Sequence, residues 1–199
     1  MTRNHQYRFW EVEIDSSLLS FSKGIQTNWH VITGAPCSGK TTLIETLTEH
    51  GFDTGVEIGR LYISSELANG RTLAEVRADE LAFQRTLLEL RLKREQGLDP
   101  ARVTFLDRGL PDSITFYRAN GLNPNEILTE CQHYRYASVF LLDRLPLQSD
   151  GVRAEDDKAL QFIDEWLFRD YTALGYDIFR VPVLPIEQRL KFVLERVPK

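Results

Sequence analysis

The chain has 199 residues, of which 42% are hydrophobic and 27% are charged. This length supports one domain with a full core and is short for two, and the composition is ordinary for a globular protein. The net charge of −5 argues against wholesale binding to nucleic acid or to anionic membranes.

Two further features bear on where the protein works. The sequence has two cysteines, Cys37 and Cys131, and their separate settings argue against a disulfide framework. No apolar run approaches the roughly 20 residues that a membrane helix needs, and the N-terminal residues lack the apolar core of a signal peptide. We therefore expect a cytoplasmic protein with no membrane partner.

The N-terminal stretch differs from the remainder of the chain. Residues 1–25 mix aromatic, charged and serine residues without a clear period. We interpret them as an N-terminal extension with a short strand over residues 7–12. Residues 26–199 show no repeat, low-complexity tract or linker, and are predicted to form a single domain.

Strands and helices alternate through this predicted domain. Compact apolar runs predict strands at 29–33, 55–59, 102–107, 136–143 and 179–183. Apolar residues at helical spacing predict helices at 40–50, 73–96, 112–119, 124–133, 154–174 and from 186 onward. The alternation indicates a three-layer α/β fold with a mainly parallel, five-stranded sheet, whose sites lie at the carboxyl ends of the strands.

The stretch GAPCSGKTT, residues 34–42, matches the phosphate-loop pattern G-x-x-x-x-G-K-[ST] without deviation. A strand precedes it and a helix follows, so its backbone amides and the helix N-terminus are predicted to face phosphate oxygens. Lys40 is predicted to reach the β- and γ-phosphates of ATP, and the Thr41 hydroxyl to contact Mg²⁺. The predicted nucleotide-binding residues are Gly34, Ala35, Pro36, Cys37, Ser38, Gly39, Lys40, Thr41 and Thr42.

Five further motifs, together with the phosphate loop, point to a particular family of P-loop proteins. They are EIGR at 57–60, Asp107–Arg108 after a strand, DRLP at 143–146, DGVR at 150–153 and VPVLP at 181–185. With the phosphate loop, they resemble the P-loop kinase/ATPase family that includes the ribosylnicotinamide kinase domain of NadR and a TRPL-translocation-defect GTP-binding protein. Deoxynucleoside and thymidylate kinases are more distantly similar. The resemblance implies a nucleoside- or nucleotide-kinase-like P-loop NTPase fold with a short lid, over about residues 28–198.

The resemblance also implies roles for residues at two strand ends. Glu57 matches the glutamate that positions and accepts the proton of an acceptor hydroxyl, with Arg60 and Arg108 on substrate. Asp107 would supply the acid near Mg²⁺ together with Thr41, or act as the base instead of Glu57. The structural alternatives are a surface pair between Glu57 and Arg60, and a role for Asp107 as a helix N-cap or turn residue.

Arg144 and Arg153 flank the polar loop at 144–153. In similar kinases this loop is a lid whose arginines stabilise charge on the transferring phosphoryl group, and Arg153 fits the D-G-x-R motif. The structural alternative for both is a solvated loop arginine.

These residues are compatible with three different functions. The first is a Mg·ATP-dependent kinase acting on a nucleoside-like hydroxyl metabolite. The second is a regulatory NTPase without a small-molecule acceptor, binding ATP or GTP, although no N-K-x-D guanine signature follows the fourth predicted strand. The third is a ring-forming ATPase, which the sequence supports least. The expected partners are nucleotide and a small-molecule substrate, without nucleic acid or membrane, and the sequence allows a homodimer.

Overall fold

The computed structural model describes residues 9–19, 24–145 and 154–197, with side chains from residue 157 in the last range. Within these ranges, no helix is long and apolar enough to cross a membrane.

Five parallel strands form the central sheet, in the order β3-β4-β2-β6-β7. Beside it, β1 and β5 pair in parallel as a separate two-stranded ribbon. The described strands are β1 (Ile25–Gln26), β2 (Trp29–Thr33), β3 (Asp53–Gly55), β4 (Thr104–Asp107), β5 (Tyr134–Arg135), β6 (Ser138–Leu142) and β7 (Ile178–Val181). β2, β4 and β6 are buried throughout, as parallel strands covered on both faces should be.

Helices cover both faces of the sheet. They are α1 (Lys40–Glu49), α2 (Ile58–Ala68), α3 (Leu73–Val76), α4 (Glu80–Gln96), α5 (Asp112–Ala119), α6 (Ala154–Ala173) and α7 (Ile186–Leu194). Neighbouring residues of β2 point to opposite layers: Val31 packs with residues of α4, α5 and α6, whereas Ile32 packs with residues of α1 and α7. This confirms the predicted three-layer α/β fold.

The region after β3 differs from prediction. The strand predicted at 55–59 is wrong, because β3 ends at Gly55 and α2 begins at Ile58. The flanking glycines around a short apolar run are typical of a strand, but α2 leaves Leu61 and Leu67 exposed. Ile58 and Tyr62 of α2 are only partly buried against α3 and α4, so no fully buried stripe marks this helix.

The long helix predicted at 73–96 is two helices. Thr72 and Glu75 form a reciprocal capping box at the start of α3, and the Asp79 side chain accepts a hydrogen bond from Ala82 N–H at the start of α4. Aspartate favours such caps over a helix interior, so the chain restarts a helix at Asp79.

Two other predictions on local structure are wrong. Residues 124–133 form two short 3₁₀ helices, Pro124–Ile127 and Glu130–Gln132, rather than one helix. The described part of the strand predicted at 7–12 is not a strand. Instead, Trp10 N–H donates to the Arg118 carbonyl at 3.0 Å, and Arg118 Nε donates to the Val12 carbonyl at 2.5 Å. This part of the extension packs on α5.

Candidate functional site

The phosphate-loop segment leaves β2 at Thr33 and enters α1 at Lys40. Gly34 and Gly39 have φ angles of 149° and 88°, and Cys37 has one of 61°. A Cβ atom at Gly34 would lie 2.8 Å from Ser38 Oγ and 2.9 Å from the Leu142 carbonyl. Glycine is therefore required at this position by both backbone conformation and space.

Lys40 lies inside this loop and is 6% exposed. Its Nζ donates to the carbonyls of Gly34 at 3.0 Å and Ala35 at 2.8 Å, and to Ser38 Oγ at 3.3 Å. Burial lowers the pKa of Lys40 to about 7, and Arg108 acts in the same direction. The ammonium is therefore held at the centre of the loop in a setting that strongly favours an added negative charge.

Arg189 fixes the same loop from the other end of the chain. Its Nη1 donates to the Ser38 carbonyl at 2.7 Å, and its Nε donates to the Pro182 carbonyl at 3.1 Å. The sequence suggests no role for Arg189, because nothing in it shows that α7 lies beside the loop.

Asp107 ends β4 and is 2% exposed. It lies beside Ile32 in the sheet register, one residue before β2 ends. Its Oδ1 has no hydrogen-bond partner among the described residues, and burial raises its pKa although Arg108 opposes this. A buried carboxylate oxygen that faces no donor among the described residues fits an oxygen-ligated cation. Thr41, the other ligand predicted from the sequence, is half-buried at the start of α1.

Asp107 does not cap a helix, so the capping role is wrong, but it is the last residue of β4 and lies directly before a turn. α5 begins at Asp112, and it is the Asp112 side chain that accepts from Gly109 N–H at 3.1 Å. Asp112 also accepts from Thr33 Oγ1 at 2.6 Å, Tyr171 OH at 2.6 Å and Arg108 Nη1 at 2.8 Å. These four donors make Asp112 the anchor of the turn after β4.

Arg108 is held in a fixed position by this anchor. It has a φ angle of 62°, and its guanidinium lies 4.8 Å from the centre of the Phe116 ring. Sequence reasoning missed Asp112, although its position four residues after Arg108, at the start of a helix, is a usable signal for an ion pair.

Glu57 lies between β3 and α2, at the N-cap position without a side-chain capping bond. Its Oε2 is 3.6 Å from Arg60 Nε, and the two side chains are 29% and 67% exposed, respectively. The surface pair considered from the sequence is therefore present. Glu57 also raises the pKa of Asp107, so its charge acts on the buried site as well.

Arg94 joins the turns that carry both carboxylates. Its Nη1 donates to the carbonyls of Val56 and Asp107, each at 3.1 Å, and its Nη2 donates to the Arg108 carbonyl at 2.7 Å. Charged residues on a helix are usually solvated, but the Arg94 side chain is only 11% exposed. The site thus depends on an arginine whose place in a charged helix does not by itself point to such a role.

A cleft of about 140 Å³ opens next to these turns. It is lined by Pro36, Glu57, Gly59, Arg77, Phe83, Gln84, Leu87, Arg91, Arg108, Phe116 and Asn120. The structure thus brings Glu57 and Arg108 into one cavity that also touches the phosphate loop. Asp107 does not line it.

The predicted lid is described only in part. Arg144 Nη1 donates to Asp157 Oδ1 at 2.6 Å, and Arg153 lies outside the described residues. Arg144 and Asp157 line a second cavity of about 480 Å³ beside Pro36 and Cys37.

A family model described as an AAA domain matches residues 29–189. The chain belongs to this AAA-domain family. The match confirms the predicted class, a P-loop phosphotransferase or NTPase. A search of curated protein sequences finds no significant match.

Solved structures share the fold of this AAA domain at low sequence identity. NadR protein in complex with NR superposes with a TM-score of 0.64 and 16% identity, over 87% of this chain and 51% of that chain. Thymidylate kinase from Ehrlichia chaffeensis gives 0.60 and 14%, over 86% and 97%. Deoxyadenosine kinase from M. mycoides with bound dCTP gives 0.55 and 14%, over 84% and 97%. The chain spans about half the length of the NadR chain, and the predicted nucleotide-kinase-like fold is confirmed.

Proposed function

We propose that this AAA domain is a magnesium-dependent kinase that transfers the γ-phosphoryl group of ATP to a hydroxyl of a small nucleoside-like metabolite. One observation carries the proposal. A cleft lined by a carboxylate and several arginines opens directly beside the phosphate loop, at Pro36. A loop that only senses nucleotide has no need of such an adjoining cleft, whereas phosphoryl transfer requires an acceptor next to the γ-phosphate.

The residues divide into three roles. The loop amides and Lys40 bind the phosphates. Asp107 and Thr41 hold Mg²⁺, which when bound neutralises charge on the phosphates. Glu57 faces the acceptor cleft, orients the attacking hydroxyl and takes its proton, while Arg108 binds the acceptor. We assign the base to Glu57 rather than Asp107, because Glu57 lines the cleft and Asp107 is buried outside it.

The first experiment is ADP release from Mg·ATP, with and without pools of nucleosides, nucleotides, sugars and cofactor precursors. ADP release that appears with one pool, together with a phosphorylated product, would support the kinase. Slow release that is equal with every pool would instead favour a regulatory NTPase, with ATP or GTP as its ligand. Arg60 and the lid arginines, Arg144 and Arg153, stay predictions for acceptor and phosphate contacts.

Glu57→Gln is expected to keep nucleotide binding and to slow transfer by about 10²–10⁴-fold, because the amide cannot take the acceptor proton. The measurement is single-turnover product formation at saturating ATP and acceptor. Glu66→Gln, on the next helix, is the matched control, since Glu66 pairs with Arg71 outside the cleft. Unchanged transfer in Glu57→Gln would move the base assignment to Asp107.

Nucleotide binding is expected to take up about one proton at pH 8, because phosphates beside Lys40 raise its pKa from the lowered value of about 7. Affinity should therefore fall as pH rises above 7, where binding must first protonate the amine. Calorimetry with Mg·AMP-PNP in two buffers of different ionisation enthalpy counts the protons. At pH 6 Lys40 is already charged, so a count equal to that at pH 8 would contradict the assignment.

The setting of the protein is also part of the proposal. A cytoplasmic location, independence from nucleic acid and membrane, and a homodimer stay predictions from the sequence. The boundary between an N-terminal extension at 1–25 and a domain at 26–199 also stays a prediction from the sequence.

A further inference from the structure

Arg91 is a buried cation that lines the proposed acceptor cleft. It lies on α4 and is 3% exposed. Its Nη1 donates to Ser113 Oγ at 2.8 Å. Among the residues that the structure describes, no carboxylate oxygen lies within 4 Å of its guanidinium. A buried guanidinium whose one hydrogen-bond partner among the described residues is a hydroxyl is an unusual and costly arrangement.

The two other arginines of the cleft have carboxylates of their own. Arg77 Nη2 lies 2.9 Å from Glu80 Oε1, and Arg108 Nη1 lies 2.8 Å from Asp112 Oδ1. Glu57, the carboxylate that lines the cleft, is paired with Arg60 on the surface. The cleft therefore contains one cation, that of Arg91, without a paired carboxylate.

The surroundings of Arg91 add to this imbalance. Burial lowers the pKa of Arg91, and the nearby charges of Arg108 and Arg94 act in the same direction. Asp112 and Tyr171 raise the pKa of Arg91. Both side chains, however, already hydrogen-bond to other groups, since Tyr171 OH donates to Asp112 and Asp112 accepts from Arg108. An anion in the cleft would therefore offset a charge that Asp112, which Arg108 shares, compensates only in part.

We propose that the acceptor carries an oxyanionic group, a phosphate or a carboxylate, which binds Arg91 next to Arg108. This inference rests on the proposed kinase function and narrows its substrate class. The acceptor is then a phosphorylated or carboxylated hydroxyl metabolite, for example of the nucleoside monophosphate type, rather than a neutral nucleoside. The planar fork of an arginine side chain suits either oxyanion, because two parallel N–H groups can meet two oxygens.

The test first occupies the phosphate loop and then adds an anion. Wild-type protein is saturated with Mg·AMP-PNP, and its thermal midpoint is then measured against inorganic phosphate, with chloride at equal ionic strength as the blank. Acetate is titrated separately to distinguish a carboxylate site from a phosphate site. We expect one of the two oxyanions to raise the midpoint, and to bind at least tenfold more weakly to Arg91→Gln.

Arg85→Gln is the matched control, since Arg85 lies on the same helix, pairs with Glu126 at 3.5 Å and does not line the cleft. Arg91→Lys should retain part of the oxyanion effect because it keeps the charge. If Arg91→Gln fails to fold, wild-type protein still decides the matter: thymidine 5′-monophosphate should raise the midpoint more than thymidine, or acetate more than chloride.

The outcomes separate this inference from the function on which it rests. Protein that binds AMP-PNP but shows no oxyanion effect, or the same effect in Arg91→Gln, overturns the anionic acceptor and leaves the kinase proposal standing. Protein that fails to bind AMP-PNP, with no midpoint shift relative to Lys40→Ala, contradicts the proposed function itself and removes the basis of this inference.

Discussion

Lys40→Ala is expected to lower nucleotide-dependent turnover by about 10²–10³-fold, the cost of removing one well-placed charge from a phosphoryl-transfer site. The Lys40 ammonium donates hydrogen bonds to two backbone carbonyls and one hydroxyl of the loop. These bonds hold its positive charge at the position where the phosphates are expected to bind. Nucleotide affinity should fall as well, since the same charge meets the phosphates before and during transfer.

Two measurements are needed to distinguish a loss of activity from a loss of folding in Lys40→Ala. ADP release reports turnover, and a thermal melt reports whether the loop variant still folds, since removing Lys40 also takes a buried cation out of the molecule. Lys191→Ala, at an exposed site on α7, is the control. Intact turnover in a folded Lys40→Ala protein would mean that this loop is not the nucleotide site.

Asp107→Asn is expected to have opposite effects on activity and on stability. The carboxylate is buried with one oxygen unpartnered, and its raised pKa means that the folded protein disfavours its charge. Asparagine has the same shape without that charge, so the ligand-free variant should melt at the same temperature or a few degrees higher, about 2–4 °C for each kcal/mol gained. Activity should fall by about 10²-fold or more, because an amide is a poor magnesium ligand.

The pH dependence of the stability effect has a definite sign. A carboxyl whose pKa is raised on folding destabilises the fold above that raised value and has no such effect below the pKa of the unfolded chain. The gain in Asp107→Asn should therefore be present at neutral pH and disappear in acid. Asp177→Asn, at an exposed site after α6, is the control.

Magnesium titration completes the test of Asp107. We expect the variant to require at least tenfold more Mg²⁺ for half-maximal ADP release. A lower melting temperature combined with an unchanged magnesium requirement would assign Asp107 to the fold rather than to the metal.

The phosphate loop and Asp107 could be predicted because their signals are local. Glycine spacing fixes the curl of residues 34–39, and an acid that directly follows an apolar strand must end at one edge of the sheet. The three layers and the parallel sheet followed from the alternation of apolar runs, whereas the order of the strands did not. These features depend on residues close together in the sequence, where composition and spacing carry the information.

Arg91 and Arg94 could not be found in the same way, and for Asp112 the one local signal is its spacing of four residues from Arg108. All three are charged residues on helices, and charged helical residues are mostly solvated. Their burial comes from neighbours far along the chain: Ser113 for Arg91, Val56 for Arg94 and Tyr171 for Asp112. The helix at 58–68 was missed for a related reason, since its apolar residues do not form a buried stripe.

The bond from Arg189 to the phosphate loop has a consequence for the order in which the protein becomes competent during synthesis. Ser38 and Arg189 are 151 residues apart, so the loop emerges long before the residue that secures its carbonyl. A nascent chain can therefore contain β2 and α1 and still lack the hydrogen bond from Arg189 to the Ser38 carbonyl. We expect nucleotide binding to be acquired only after α7 has been synthesised and has packed beside α1, so that nucleotide binding by a nascent chain would report that α7 is complete.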